Sequence, residues 1–478
     1  MEGQPLIPSG FKQQFYILRM GAVSPSQRKG IMAGDRNNKM ILAAFMQAAN
    51  CSNYVGSWRH PASEPNFLTA GFYQNIARTL ERGKFHFAFI DDRLAMPGRY
   101  GDAVDEALRH GVRVVKLDLT PVVMAMTMAT RHLGVGATYS ATYNAPFNIA
   151  RLFATMDHFT EGRVGWNVVT SLNDSEAQNF GFESHLDHDG RYDQADETME
   201  IVTGLWDSWE DEALKVDKAS GTFADPDKVH RLDYQGEYYK SRGPLTVPRS
   251  PQGHPVIMQA GQSSRGKTFA GRWGELVFAV FREIERGQEI RGELRDRAAG
   301  NGRDPEGIKV VTAAYVIVGE TETMAQEKLA LAESLADPVD KMALLSELLN
   351  FDFSRPSLDQ VMTDDDLDQI SGSRGMVETI MRGGEAQYPT FGEFIGNSKR
   401  GTVHELPVFV GTPKKIADEM EEWFISEACD GFMVAATHLP GAYEDFVRLV
   451  VPELQRRGLA QTDYSGRTLR DHLGLARP

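Results

Sequence analysis

Two stretches of this chain carry the residue types that grip an anion. HDGRYDQADE sets His188, Arg191 and Tyr192 at the entry to a helix. Unpaired N–H groups and the positive dipole end favour negative charge there, and imidazole and phenol add donors. QAGQSSRG, residues 259–266, puts glycines beside Ser263, Ser264 and Arg265 just after an apolar run. Glycine permits close backbone approach, and serine hydroxyls bond phosphate oxygens. Either turn alone reads equally as helix capping. Together, on the ligand face of one fold, they point to a phosphate-bearing cofactor. Polar residues also gather at strand ends: Thr138, Ser140, Thr142, Tyr143 and Asn144 follow one β-prone run, and Asn167, Thr170 and Ser171 sit in or after the next. In parallel α/β folds ligands bind at the C-terminal strand ends. The HLDHD run pairs His185 with His188 but has no partner His at a strand end, so no metal is expected. Gly134-Val135-Gly136 lacks the third glycine of a dinucleotide fingerprint.

The elements that must position these residues alternate between strand and helix patterns. Apolar or β-branched runs at residues 40–46, 86–91, 135–140, 164–170, 256–260, 276–280, 308–318 and 431–436 supply eight strands. Helical patterns occupy residues 72–82, 120–132, 145–155 and 191–209. The Met and Val stripe of the second of these reads as core. Eight strands separated by helices fit an α/β fold of the (β/α)8 TIM-barrel type better than an open sheet. The spacing requires long insertions near 210–250 and 335–400. The first contains a turn-rich excursion at 217–243; the second is acidic and polar at 354–370 and glycine-containing at 372–396, with part of it suited to a mobile lid. Residues 1–38 show no clear period and read as an N-terminal arm, leaving 39–478 as a single domain.

The chain has 478 residues, 41% hydrophobic and 24% charged, enough for a large core. Its net charge of −15 with no basic stripe argues against nucleic acid or an anionic membrane as partner. Cys51 and Cys429 are too far apart in sequence to suggest a disulfide framework or a zinc site. No apolar run reaches the roughly 18 residues of a membrane span, and the N-terminus lacks signal-peptide character. A reduced, soluble, cytoplasmic protein is expected.

Several segments together resemble the flavin-dependent monooxygenases of the bacterial luciferase-like superfamily. The branch is that of the nitrilotriacetate, long-chain alkane and dibenzothiophene sulfone monooxygenases. The segments are RTLERGKFHFAFIDD, GATYSATYNAPFNIAR, FATMDHFTEGRVGWNVVTS, NFGF with HDGRYDQADE, VPRSPQGHPVIMQAGQSSRG and LRDHLGL. NDSEAQNFG and DKASGTFADPDKVH are shared most with the sulfone members. The resemblance implies a barrel that holds reduced FMN (FMNH2), supplied by a separate NAD(P)H:FMN reductase, and that uses O2 as co-substrate. Homodimers or homotetramers are typical of such enzymes. The matching FMN contacts are Asp92, Thr138, Asn167, His188, Tyr192, Ala260, Gly261 and Ser263. Phe89, Phe278 and Val280 match an aromatic pocket over the flavin, and Trp166 is expected to join it.

Three departures stand out. The arm before Met40 is longer than usual, the second strand ends IDD-Arg93 where sulfone enzymes carry Pro-Asp-Gly, and Asn53 falls where they carry a pocket histidine. An amide cannot do a histidine's acid–base work, so no catalytic side chain is assigned. The apolar pocket suits a flat aromatic such as a dibenzothiophene-sulfone-like compound or a chlorinated aromatic, including a polychlorinated benzene or phenol. Polyanionic substrates would need more Arg and Lys than the pocket segments supply. A deazaflavin-dependent oxidoreductase and a non-catalytic flavin-binding protein are the alternatives.

Overall fold

The computed structural model describes residues 39–171, 173–384 and 386–478. The expected arm at 1–38 lies outside the described residues. Nine strands form the main sheet: β1 (Ile41–Gln47), β2 (Phe87–Asp91), β3 (Gly134–Ser140), β4 (Val164–Val169), β5 (Val256–Gln259), β6 (Leu276–Ala279), β7 (Lys309–Val318), β8 (Val408–Gly411) and β9 (Gly431–Ala435). All pair in parallel, in the order β1-β2-β3-β4-β5-β6-β7-β9, and β9 returns to β1 with Ile41 opposite Gly431 and Phe45 opposite Ala435. The ring is closed, as the eight-strand expectation requires. The sequence reading missed β8, a four-residue strand that pairs outside the ring with Tyr315–Val318 at the end of β7.

Alternation along each strand separates two cores. Ile41, Ala43 and Phe45 of β1, Phe87 and Phe89 of β2, and Met258 of β5 point into the barrel. Leu42, Ala44, Met46, Ala88 and Ile90 point out to the helices. Gly136 and Gly165 face inward across from Met258. A Cβ at either would come within 2.4 or 2.5 Å of that methionine's thioether end. The GVG run therefore serves side-chain packing inside a strand, and carries no dinucleotide turn.

The helices that matter for the site are α1 (Ala70–Arg82), α2 (Leu119–Met128), α3 (Pro146–Phe159), α4 (His188–Trp206), α5 (Ser264–Trp273), α6 (Ile284–Gly300) and α7 (Pro338–Leu349). Helix α1 buries Phe72, Tyr73, Ile76 and Leu80 against the ring. Helix α3 runs four residues past the expected residue 155. Met156 and Asp157 remain buried, and the turn ends only at Gly162, whose φ of 86° favours glycine. Helix α4 begins three residues before the expected start, because Asp187 caps it by accepting from the Gly190 amide at 2.8 Å.

The first insertion contains two short antiparallel ribbons, Leu214–Asp217 with Thr222–Ala224 and Tyr234–Gln235 with Lys240–Ser241. The second contains α7 and three shorter helices around a core of its own, including Leu345, Phe353, Phe391 and Phe394. The closing LRDHLGL segment plugs the N-terminal end of the barrel. Buried Arg470 pairs with both carboxylate oxygens of Glu275 at 2.7 and 2.8 Å, and Leu469, Leu473 and Leu475 pack into the inner core.

Candidate active site

The barrel mouth is built where inward-facing residues run past the apolar core. On β3 and β4, Thr138 and Asn167 stand opposite in register. The Thr138 hydroxyl donates to the Ile90 carbonyl at 2.8 Å and accepts from Asn167 Nδ2, also at 2.8 Å. Both residues are buried, yet Asn167 Oδ1 has no protein partner. A buried carbonyl acceptor held in one orientation and left open suits a ligand N–H.

The two anion turns meet. His188 is the first residue of α4, and its Nε2 lies 3.2 Å from Ser263 Oγ. Ser263 caps α5, accepting from the Gly266 amide at 3.0 Å. The first-turn amides of Ser264 and Arg265 have no partner within the helix. Tyr192, one turn into α4, faces the hydroxyls of Ser263 and Thr170, and burial pushes its pKa up, so it stays a neutral donor. Its ring sits 5.6 Å from Phe269 of α5. A Cβ on Gly261 would meet Tyr192 Oη at 2.6 Å and Gln259 Nε2 at 2.3 Å; one on Gly266 would meet the same Oη at 2.8 Å. Ala260 and Gly261 lead from β5 straight into this cradle. Two elements contribute less than their sequence suggested. The N-terminus of α4 is capped by its own Asp187, and Arg265 is engaged by Asp193 and Asp196 at 2.8 and 2.6 Å.

An aromatic enclosure lies inside the ring. Phe89 and Phe278 stack with centroids 5.8 Å apart and an 11° interplanar angle. Phe45 closes the third side, 5.9 Å from Phe89 and 4.9 Å from Phe278, and Val280 packs against the same cluster. The sequence reading missed Phe45. The run at 40–46 is apolar on both faces, and it is the register with Phe89 that places Phe45 inside. Trp166 does not belong to the pocket. It points outward from β4 between Phe153 of α3 and Trp206 of α4, at 5.5 and 6.4 Å, and its indole donates to the Tyr139 carbonyl. Alternation requires this, because its neighbour Asn167 faces inward.

Asp92 follows β2 and accepts from the Arg93 amide at 2.8 Å. Burial pushes its carboxyl up to about 7, against the opposing pull of the Lys116 ammonium. Asn53 is 2% exposed in the loop after β1, and neither end of its side-chain amide has a protein partner. Cys51 and Cys429 are both buried and free. Among the described residues no cluster of three or more His, Cys, Asp or Glu could hold a metal, and no helix is long and apolar enough to cross a membrane.

The cradle fits a phosphate. It offers neutral and cationic-capable donors, glycines where any side chain would obstruct, and a helix start. The open carbonyl of Asn167 and the three phenylalanines fit a flat heteroaromatic ring. The family model described as luciferase-like monooxygenase matches residues 51–430. Dibenzothiophene-sulfone monooxygenase from Rhodococcus erythropolis is 44% identical over 93% of this chain and 98% of its own length. Nitrilotriacetate monooxygenase component A from Aminobacter aminovorans is 40% identical over 92% and 98%. The crystal structure of riboflavin lyase with modified FMN and riboflavin superposes with a TM-score of 0.82, at 30% identity over 92% of this chain and 96% of that one. With a closed parallel barrel, a family match over most of its length and relatives of this identity, the chain belongs to the luciferase-like monooxygenases, a family of flavin-dependent oxidoreductases.

Proposed function

We propose that the chain is the oxygenase of a two-component system, taking reduced FMN from a separate NAD(P)H:FMN reductase and using O2 to oxidise a flat aromatic substrate. One observation carries the reading: a donor-lined cradle of His188, Tyr192, Gly261 and Ser263 lies at the C-terminal strand ends of the barrel that holds the Phe45–Phe89–Phe278 enclosure. The cradle holds the cofactor's phosphate. Thr138 and Asn167 orient its ring, with the Asn167 carbonyl accepting a ring N–H. Reduced FMN, when bound, supplies the electrons that activate O2. The phenylalanines exclude water and present the substrate's face. Asp92, with a carboxyl near neutrality, holds a proton at the end of β2 over part of the working pH range.

The named sulfone relative supports an aromatic sulfone as substrate, and the apolar enclosure equally supports a chlorinated aromatic. "Component A" in the nitrilotriacetate relative's name supports the division of labour with a reductase. The test is oxygen uptake by purified protein with NADH and FMN, without and with a flavin reductase. Activity should require the reductase. Turnover with NADH by this chain alone would overturn the two-component reading.

A further inference from the structure

Beside the aromatic enclosure, the residues after β1 run next to a segment at 113–116, with Ala49 bridged to Lys116 and the Leu117 amide on the Ala48 carbonyl. Arg113 donates to the Asn53 carbonyl at 2.7 Å. The polar ends these two segments bring together lack partners. Lys116 Nζ, Arg113 Nε, both ends of the Asn53 amide and Gln47 Oε1 are all buried with no hydrogen bond. Gln47 belongs to β1 and stands opposite Asp91, in the barrel two residues beyond the Phe45–Phe89 pair. Two further cations approach the same mouth. Arg93 follows β2, and Arg400 pairs with Glu405 at 3.7 Å, the carboxylate that also accepts from the inward-facing Tyr315.

We propose that this recess takes the ionised acid group of the substrate, so that the physiological substrate is an aromatic anion (a carboxylate, sulfonate or phenolate), with its ring among the phenylalanines and its charge on Lys116 and Arg113. Burial pulls the Lys116 amine toward its neutral form, against the pull of Asp91 and Asp92; an arriving anion favours the ammonium and offsets that cost. Asp91, Asp92 and Glu405 are the carboxylates nearby. Asp91 and Asp92 act on Lys116 through space, yet none of the three forms a hydrogen bond to it; Asp91 accepts from Gln47 at 3.0 Å, and Glu405 serves Arg400 and Tyr315. The inference rests on the oxygenase reading and narrows its substrate. It also supplies the cations that the pocket segments of the sequence lacked, enough for one acid group.

The test uses 1-naphthoate and its neutral counterpart 1-naphthamide, with binding measured calorimetrically on the full chain, without flavin and with FMN present. Naphthoate should bind at least about tenfold tighter than naphthamide, as expected for a charge-assisted bond in a dry site. Lys116→Met should bring that ratio to about one while leaving FMN affinity within about twofold. Because the substitution removes an unpartnered buried amine, its thermal midpoint should not fall; Arg400→Gln, at a partly buried position, provides a second variant with a reduced ratio. Equal binding of the two probes by the unaltered protein, or a ratio unchanged in both variants, overturns the proposal. Displacement of FMN by naphthoate also overturns it, by assigning these cations to the flavin. If FMN itself fails to bind, the oxygenase reading falls, and the naphthoate ratio still decides whether the recess is an anion site.

Discussion

Gly261→Ala separates the cradle's role in ligand binding from its role in packing. The added methyl would stand 2.6 Å from Tyr192 Oη and 2.3 Å from Gln259 Nε2, and 3.3 Å from the Gly266 Cα. Gly261 does not need a left-handed backbone, since it is absent from the positive-φ residues, so the effect is steric. Gln259 can rotate its amide away. Tyr192 is only 8% exposed and is wedged against Phe269 from α5, so its hydroxyl must be pushed or the turn must shift. Overpacking of this kind costs about 1–3 kcal/mol. At roughly 0.9 kcal/mol per degree for a chain of this size, the midpoint falls by only about 1–3 °C. Loss of one hydrogen bond to a phosphate, about 1.5–3 kcal/mol, weakens FMN by about ten- to 150-fold. Riboflavin, lacking the phosphate, should be nearly unaffected. The assay is a titration of both flavins against the two proteins, alongside thermal unfolding.

Tyr192→Phe sharpens the experiment. Removing Oη takes away one of the three atoms the new methyl meets, so the double variant should recover part of the stability lost by Gly261→Ala, a non-additive result expected of residues in contact. FMN affinity should fall in each single variant and stay low in the double. If Gly261→Ala loses stability but binds FMN as before, or if riboflavin weakens as much as FMN, the phosphate does not sit against Gly261 and the cradle reasoning is refuted.

Asn53→His should raise turnover of dibenzothiophene sulfone by tenfold or more with FMN affinity unchanged, since general acid–base help is worth about 10²–10⁴-fold; product formation with one shared reductase checks it, and no gain would remove Asn53 from the substrate chemistry. Arg470→Met leaves the Glu275 carboxylate without its bidentate partner and should cost about 3–5 kcal/mol in urea unfolding, part of it recovered by adding Glu275→Gln. Burial holds His86 at about 3 and His472 at about 4, so the folded state resists protons that the unfolded chain takes up near 6.5. Their stability is whole above that value and declines as pH falls toward 4, by on the order of 1–3 kcal/mol per ring. Asp92, raised to about 7, binds its proton more tightly when folded and works in the opposite sense. Asp92→Asn should therefore steepen the acid decline seen by unfolding at stepped pH.

The ring of eight strands was legible because each run is short, apolar and flanked by turn residues. Facing was not. In a parallel strand covered on both sides both faces are apolar, so the apolar run at 40–46 did not announce Phe45 as a pocket residue. Trp166 was drawn into the pocket by its aromaticity although Asn167 beside it was placed there, and two neighbours on a strand cannot share a face. The four residues of β8 carry too little pattern to stand out from the surrounding helices. The two donor-rich turns were readable because their chemistry is local: a cap, a glycine and a hydroxyl within a few residues. Lys116 and Arg113 were unreadable for the opposite reason. They lie 63 and 60 residues after Asn53, and contacts such as Ala49 with Lys116 and Arg113 with the Asn53 carbonyl bring them to the mouth.

Buried groups without partners occur at both ends of the barrel, and they differ in kind. At the closed end His132 and His472 leave ring nitrogens unbonded beside Tyr464, with His472 held neutral. An uncharged imidazole loses modest solvation there. The charges at that end are paired: Arg470 with Glu275, and Arg163 with the carbonyls of Thr160, Leu133 and Thr127. At the open end the unbonded groups include the Lys116 amine, Arg113 Nε and the amides of Asn53, Gln47 and Asn167, whose desolvation is costly unless something bonds them. Paired cations at the closed end and unbonded amine and amide groups at the mouth are the division expected if the mouth receives a ligand, since barrels separate stability and function between their two faces.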